Sequence, residues 1–215
     1  MKGTDMRHPR ITAGLALALV LGVSAISCAR ELDTNFERIR AVWSVMTFSE
    51  GLTRIRCPVT IEGEFSARRI AKQTQTQIGS IHRATAMFAN CSERAGVSSF
   101  EFLTNLPWAF FYSSFSGALP NINTIALEII EFSFLITGSF ASCLYQATLR
   151  SPLKGLLRRN FTTGVITAFQ IEPTPAIPQN GMGTGCPTTI RVEGSSGEVI
   201  REMGSATEKV RIELI

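Results

Sequence analysis

Directly after Cys57, the run Val59-Thr60-Ile61-Glu62-Gly63-Glu64-Phe65 alternates apolar and polar side chains, a period that only an extended strand converts into one wet and one dry face. Val59, Ile61 and Phe65 then share the buried face, and Glu62 and Glu64 the other. A second strand candidate runs from Ile78 to Ala89, and the polar stretch Lys72 to Gln77 between them reads as a connecting loop. If that loop centres on Thr74, antiparallel partners have position numbers summing to 148. Ile61 then faces Met87, Val59 faces Ala89, and Cys57 faces Cys91. Four cysteines, Cys57, Cys91, Cys143 and Cys186, allow three pairings. The strand pattern favours Cys57–Cys91 and, by elimination, Cys143–Cys186. Each closure is expected to contribute roughly 4 kcal/mol in the chain-entropy model.

The rest of the chain continues in this style. Arg38 to Phe48 has apolar spacing that a helix would also accept, but its β-branched and aromatic content and the Ser49-Glu50-Gly51 turn favour a strand hairpin. Further strands are expected at Ser99 to Leu103, Trp108 to Phe115, Asn123 to Tyr145 with a bulge near Ile129, Gly164 to Ile171, Thr188 to Val192 and Lys209 to Ile215. Turns are expected at Gly117 to Asn121, Ser151-Pro152, Pro173 to Gly185 and Glu193 to Gly197. Glu128 and Glu131 interrupt the apolar span Ile125 to Ile136, which argues for core strands over a membrane helix. Many short strands without alternating helices predict an all-β fold, a single antiparallel β-sandwich or flattened barrel stapled by two disulfides after an N-terminal signal segment.

That segment has the three parts of an export signal: Lys2, Arg7 and Arg10, then the apolar run Ile11 to Val23, then small residues. Cleavage is expected between Ala25 and Ala29, which divides the chain into a signal peptide (1–29), a flexible lead-in (30–37) and a disulfide-stapled β domain (38–215). Two rival readings exist. The nineteen uncharged residues between Arg10 and Arg30 approach the length of an uncut anchor. Ala25-Ile26-Ser27-Cys28 is a partial lipobox, which would make Cys28 a lipid attachment site and the chain a lipoprotein tethered to a membrane through its N-terminus. An even cysteine set in the remainder agrees with delivery to an oxidising compartment.

Composition excludes more than it identifies. Asp5 and Asp33 are the only aspartates and His8 and His82 the only histidines, so once the leader is removed one of each remains. A multi-histidine metal site is thereby ruled out and a Ser-His-Asp triad could draw only on His82 and Asp33, no CxxC or CxH spacing suggests zinc, and no catalytic, cofactor-binding or metal-ligating set is assigned. Discounting Lys2, Arg7, Arg10 and Asp5 leaves 18 basic and 16 acidic residues, a net charge of +2. The doublets Arg68-Arg69 and Arg158-Arg159 lack interleaved aromatics, so no nucleic-acid partner is expected. Glu62 and Glu64 share one strand face, whereas glycosidases usually draw their carboxylates from opposite sides of a cleft. His82 reads as a half-exposed strand residue, and Gly181 to Gly185 lacks the Lys-Ser/Thr of a phosphate loop. Trp108, Phe110 and Tyr112 share a strand face in the most aromatic stretch of the chain and are the candidates for lining an apolar ligand cavity in a barrel.

Four blocks, Cys57-Pro-Val-Thr-Ile-Glu-Gly-Glu-Phe, Ile78-Gly-Ser-Ile-His-Arg-Ala, Asn105-Leu-Pro-Trp108 and Phe115-Ser-Gly-Ala-Leu-Pro-Asn-Ile122, come in an order and spacing that resembles a group of small, functionally uncharacterised exported proteins of high-GC Gram-positive bacteria, over residues 38 to 192. The Leu-Pro-Trp segment amid paired cysteines is more distantly similar to the exported "protein activator of alkane oxidation" family. That resemblance implies a cell-envelope or surface-active context and carries over no catalytic residues. The expectation is a secreted or envelope-associated, non-enzymatic protein with a structural or interaction role toward an envelope or extracellular partner. The alternative is a binder of small apolar ligands in a cavity lined by the Trp108 to Phe115 aromatics.

Overall fold

The computed structural model describes residues 31–51, 53–103, 105–118, 121–173, 176–180, 185–202 and 208–215. The export signal and Cys28 lie outside the described residues. Period-2 alternation becomes strand nearly throughout: β1 (Leu32–Thr34), β2 (Arg38–Glu50), β3 (Thr53–Phe65), β4 (Arg69–Ile70), β5 (Gln77–Ala86), β6 (Val97–Phe102), β7 (Trp108–Ala118), β8 (Asn121–Ile129), β9 (Ser133–Gly138), β10 (Ser142–Gln146), β11 (Leu153–Arg159), β12 (Ile166–Glu172), β13 (Ile177–Pro178), β14 (Thr189–Arg201) and β15 (Ile212–Leu214). Among the described residues the only helical element is a single 3-10 turn, Phe88–Asn90. The helical alternative for Arg38 to Phe48 gives way to the strand hairpin, because its β-branched and aromatic side chains pack on a pleat.

The largest sheet runs β12-β11-β8-β7-β5-β3-β2-β14, antiparallel throughout. It closes on itself. Phe169 of β12 pairs with Gly197 of β14 and Ile171 with Gly194, so these eight strands form a barrel without a free edge between them. Of sandwich and barrel, the closed form is realised. β13 pairs with the first two residues of β14, Thr189 and Ile190, ahead of the β12 contacts, and two three-stranded sheets, β10-β9-β6 and β15-β1-β4, accompany the barrel.

Trp43 packs at the closure. Its indole lies fully buried with Nε1 donating to the carbonyl of Phe169 at 2.9 Å and its ring 5.1 Å from that of Phe169. A Cβ at Gly197 would stand 2.4 Å from the indole, so only glycine lets β14 pass this close. The expected turn at Glu193 to Gly197 is therefore corrected: these residues continue β14, and the glycines serve close packing instead of chain reversal.

Four other expectations are corrected. The lead-in is not flexible over its length: Leu32 is buried and pairs with both Leu214 and Ile70, partners too distant in sequence for local pattern to reveal. Asn123 to Tyr145 is three strands, because Glu131 adopts a φ of +64° and turns the chain after β8. Leu153–Arg159, expected as no element, is β11, the partner of both β8 and β12. The β3–β5 register differs by three residues, with Val59 opposite Ala86 and Ile61 opposite Ala84. The Phe88–Asn90 turn absorbs those three residues, and beyond it Arg56 pairs with Ser92, restoring the register that sets Cys57 beside Cys91.

Both disulfides are present. Cys57–Cys91 has a Cα separation of 4.2 Å and Cys143–Cys186 of 5.6 Å. The first crosslinks a barrel strand to the segment leading into β6. The second ties β10 to the chain entering β14.

Candidate functional site

Three places were marked by sequence, and the structure treats each differently. Inside the barrel, alternate residues of seven strands point inward, among them Ala41, Ile61, Ile81, Phe110, Ile129 and Leu157. The space they leave is about 30 Å³, room for a water molecule or two. A barrel of eight strands is at the size where side chains can fill the interior, and here they do.

Trp108, Phe110 and Tyr112 share one face of β7 and are all buried, yet only Phe110 touches that space. The Trp108 ring lies instead 5.0 Å from Phe132 and 5.9 Å from Phe102, in an aromatic cluster with Phe48, Phe100, Phe134 and Tyr145. Its Nε1 donates to Asn105 Oδ1 at 3.2 Å, and the Ser133 hydroxyl donates to the same oxygen at 2.6 Å. An indole with its N–H satisfied and its ring faced by other rings is a packing residue. Burial raises the pKa of Tyr112, and it pushes that of Tyr145 up to about 12 with help from the nearby Glu50 charge.

On the outer face of β2, β3 and β5 the charged residues form a ladder. Arg40 bonds Glu62 Oε1 at 2.7 Å, Arg83 approaches Oε2 at 3.5 Å, Arg38 lies 3.7 Å from Glu64, and His82 Nε2 lies 3.2 Å from Glu64. Glu62, expected to face solvent, is only 8% exposed, because its two arginine partners cover it. Ser80, His82 and Glu64 bring together the residue types of a nucleophile relay. The geometry denies it: Ser80 Oγ approaches Nε2 at 3.3 Å, so hydroxyl and carboxylate compete for one ring nitrogen, whereas a relay needs them on opposite nitrogens.

Among the described residues no group of three or more His, Cys, Asp or Glu stands together to hold a metal ion. Of the glycine-rich stretch, Gly181 to Thr184 lies outside the described residues. A wider cavity, of about 260 Å³, opens beside the Cys143–Cys186 disulfide between residues from four separate parts of the chain. Sequence reading missed it, since no motif or spacing links those parts; the one available signal was Cys186 following a Gly/Pro-rich loop. Comparison with protein-family models, curated proteins and solved structures finds no match to this chain.

Proposed function

We propose that this protein is exported and works at or beyond the cell envelope as a non-enzymatic structural or interaction module. The observation that carries the reading is the pair of disulfides, which crosslink segments 34 and 43 residues apart and persist only where thiols are oxidised. The apolar, charge-free segment before residue 30 supplies a route to that compartment. The filled barrel supports a structural role over carriage of an apolar molecule inside it, since about 30 Å³ is roughly a tenth of what ligand pockets offer. The shared nitrogen of His82 supports a non-catalytic reading of the charge ladder.

The test is to express the full chain in a bacterial host, fractionate the cells and measure intact mass. The expected product lies outside the cytoplasm, lacks the leader, and carries no titratable thiol among Cys57, Cys91, Cys143 and Cys186. A full-length, reduced product in the cytosol overturns the proposal. An added diacyl mass at Cys28 sharpens it to a membrane-tethered lipoprotein.

A further inference from the structure

The cavity beside the second disulfide combines three independent features. Its floor is apolar, made by Val97, Ile136, Tyr145 and Ile190. At its rim Phe140, on the turn joining β9 to β10, is fully exposed, an unusual position for a large ring with an apolar recess at hand. In its wall stands Glu50, the last residue of β2, which is partly buried and whose carboxylate makes no hydrogen bond or ion pair among the described residues. Its charge is felt at the floor, where it adds to burial in raising the pKa of Tyr145. Arg54 and Arg191 share an adjoining cleft with Glu50, but neither is in ion-pair contact with it; Arg54 leans toward Glu93 at 3.8 Å.

A partly buried carboxylate with no side-chain partner among the described residues favours a bound cation. An exposed aromatic ring attracts the same kind of charge through its π face. An apolar floor favours a hydrocarbon body attached to that charge. We propose that this cavity is a binding site for a small amphipathic organic ammonium compound, its charged nitrogen between Glu50 and Phe140 and its apolar part on Ile136 and Val97. The Cys143–Cys186 bond holds two walls of the site together, since Cys143 lines it and Pro187 follows Cys186 in the opposite wall. The proposal is independent of the compartment and role proposed above.

The experiment uses the processed full-length protein and three probes of one shape: phenethylammonium, 2-phenylethanol and 3-phenylpropionate. Binding is read by calorimetry and by NMR shift changes. The ammonium is expected to bind roughly fivefold more tightly than the alcohol, with the carboxylate weakest. Shifts should map to Val97, Ile136 and Tyr145. Glu50→Gln should cut the ammonium preference over the alcohol to the small remainder that the Phe140 ring supplies, and Phe140→Ala should weaken the ammonium more than the alcohol, both with unchanged circular dichroism and intact disulfides. Equal binding of all three probes, no binding of any, an ammonium preference undiminished in Glu50→Gln, or shifts that map elsewhere would each overturn the proposal.

Discussion

Around the space inside the barrel the inward side chains are mostly aliphatic, with Phe110 and Phe169 the rings among them; between β2, β7 and the β10-β9-β6 sheet the contacts are ring on ring, with Phe48 4.5 Å from Phe100 and 4.9 Å from Phe134. The barrel has a hydrogen-bonded ring to define its shape. The small sheet does not close: β10 is bridged on its outer side by Gln179 and Asn180, and large flat side chains and the Cys143–Cys186 bond help to fix its position. Backbone closure tolerates small interchangeable aliphatics, whereas an open sheet needs area per residue, which aromatics supply at 150–250 Å² each.

Substitutions separate the two regions. The largest effect is expected from Trp43→Ala, which empties the crossing of β2, β12 and β14 and leaves the Phe169 carbonyl without its donor. A loss of about 3–5 kcal/mol in denaturant unfolding should follow, with the whole barrel affected. If that variant loses under about 1 kcal/mol, closure does not depend on the indole. Next comes the paired change Cys143→Ser with Cys186→Ser. It should cost about 2–4 kcal/mol, and hydrogen exchange should accelerate in β9 and β10 while barrel amides stay protected. Uniform acceleration would mean that the two regions unfold as one.

A smaller effect is expected from alkali. Tyr112 and Tyr145, the chain's two tyrosines, both have raised pKa values in the fold, so the folded protein holds phenolic protons that the unfolded chain gives up from about pH 10. The stability this contributes is complete below that pH and falls as pH rises toward about 12, where Tyr145 ionises. Ultraviolet titration of phenolate should show both tyrosines ionising late. An ordinary midpoint near 10 for Tyr145 would mean that the ring sheet is looser than its packing implies. The smallest change belongs to His82→Ala, because its contact with Glu64 is between half-exposed groups; under about 0.5 kcal/mol is expected near neutral pH. A loss above 2 kcal/mol would give the ladder a structural weight that its exposure contradicts.

Much of the strand content was legible because period-2 alternation is a local property. Val59, Ile61 and Phe65 face inward as the pattern requires, and the aromatic alternation of Trp108, Phe110 and Tyr112 does mark a buried face. What those three rings touch was not legible: one meets the barrel cavity, and Trp108 meets Phe132 and Phe102 from another sheet. Glycine misled where its space matters more than its freedom. Gly194 and Gly197 read as a turn, yet they lie inside a strand to make room for an indole more than a hundred residues earlier. The Cys57–Cys91 pairing followed from a register that holds at Arg56 and Ser92 but not at Val59, since one 3-10 turn cancels the offset.

The amino-acid order by itself determined which residues are extended, which face of each strand is dry, and which sulfurs come into reach of one another. Those properties depend on neighbours a few positions away, or on one hairpin. Only the tertiary structure decided that β12 and β14 close a barrel, that its interior is filled, and that Glu50, Phe140 and Ile190 meet around one recess. These are contacts between residues far apart along the chain. Each is selected by the packing and loop-closure free energy of the whole, to which any local pattern contributes only a part.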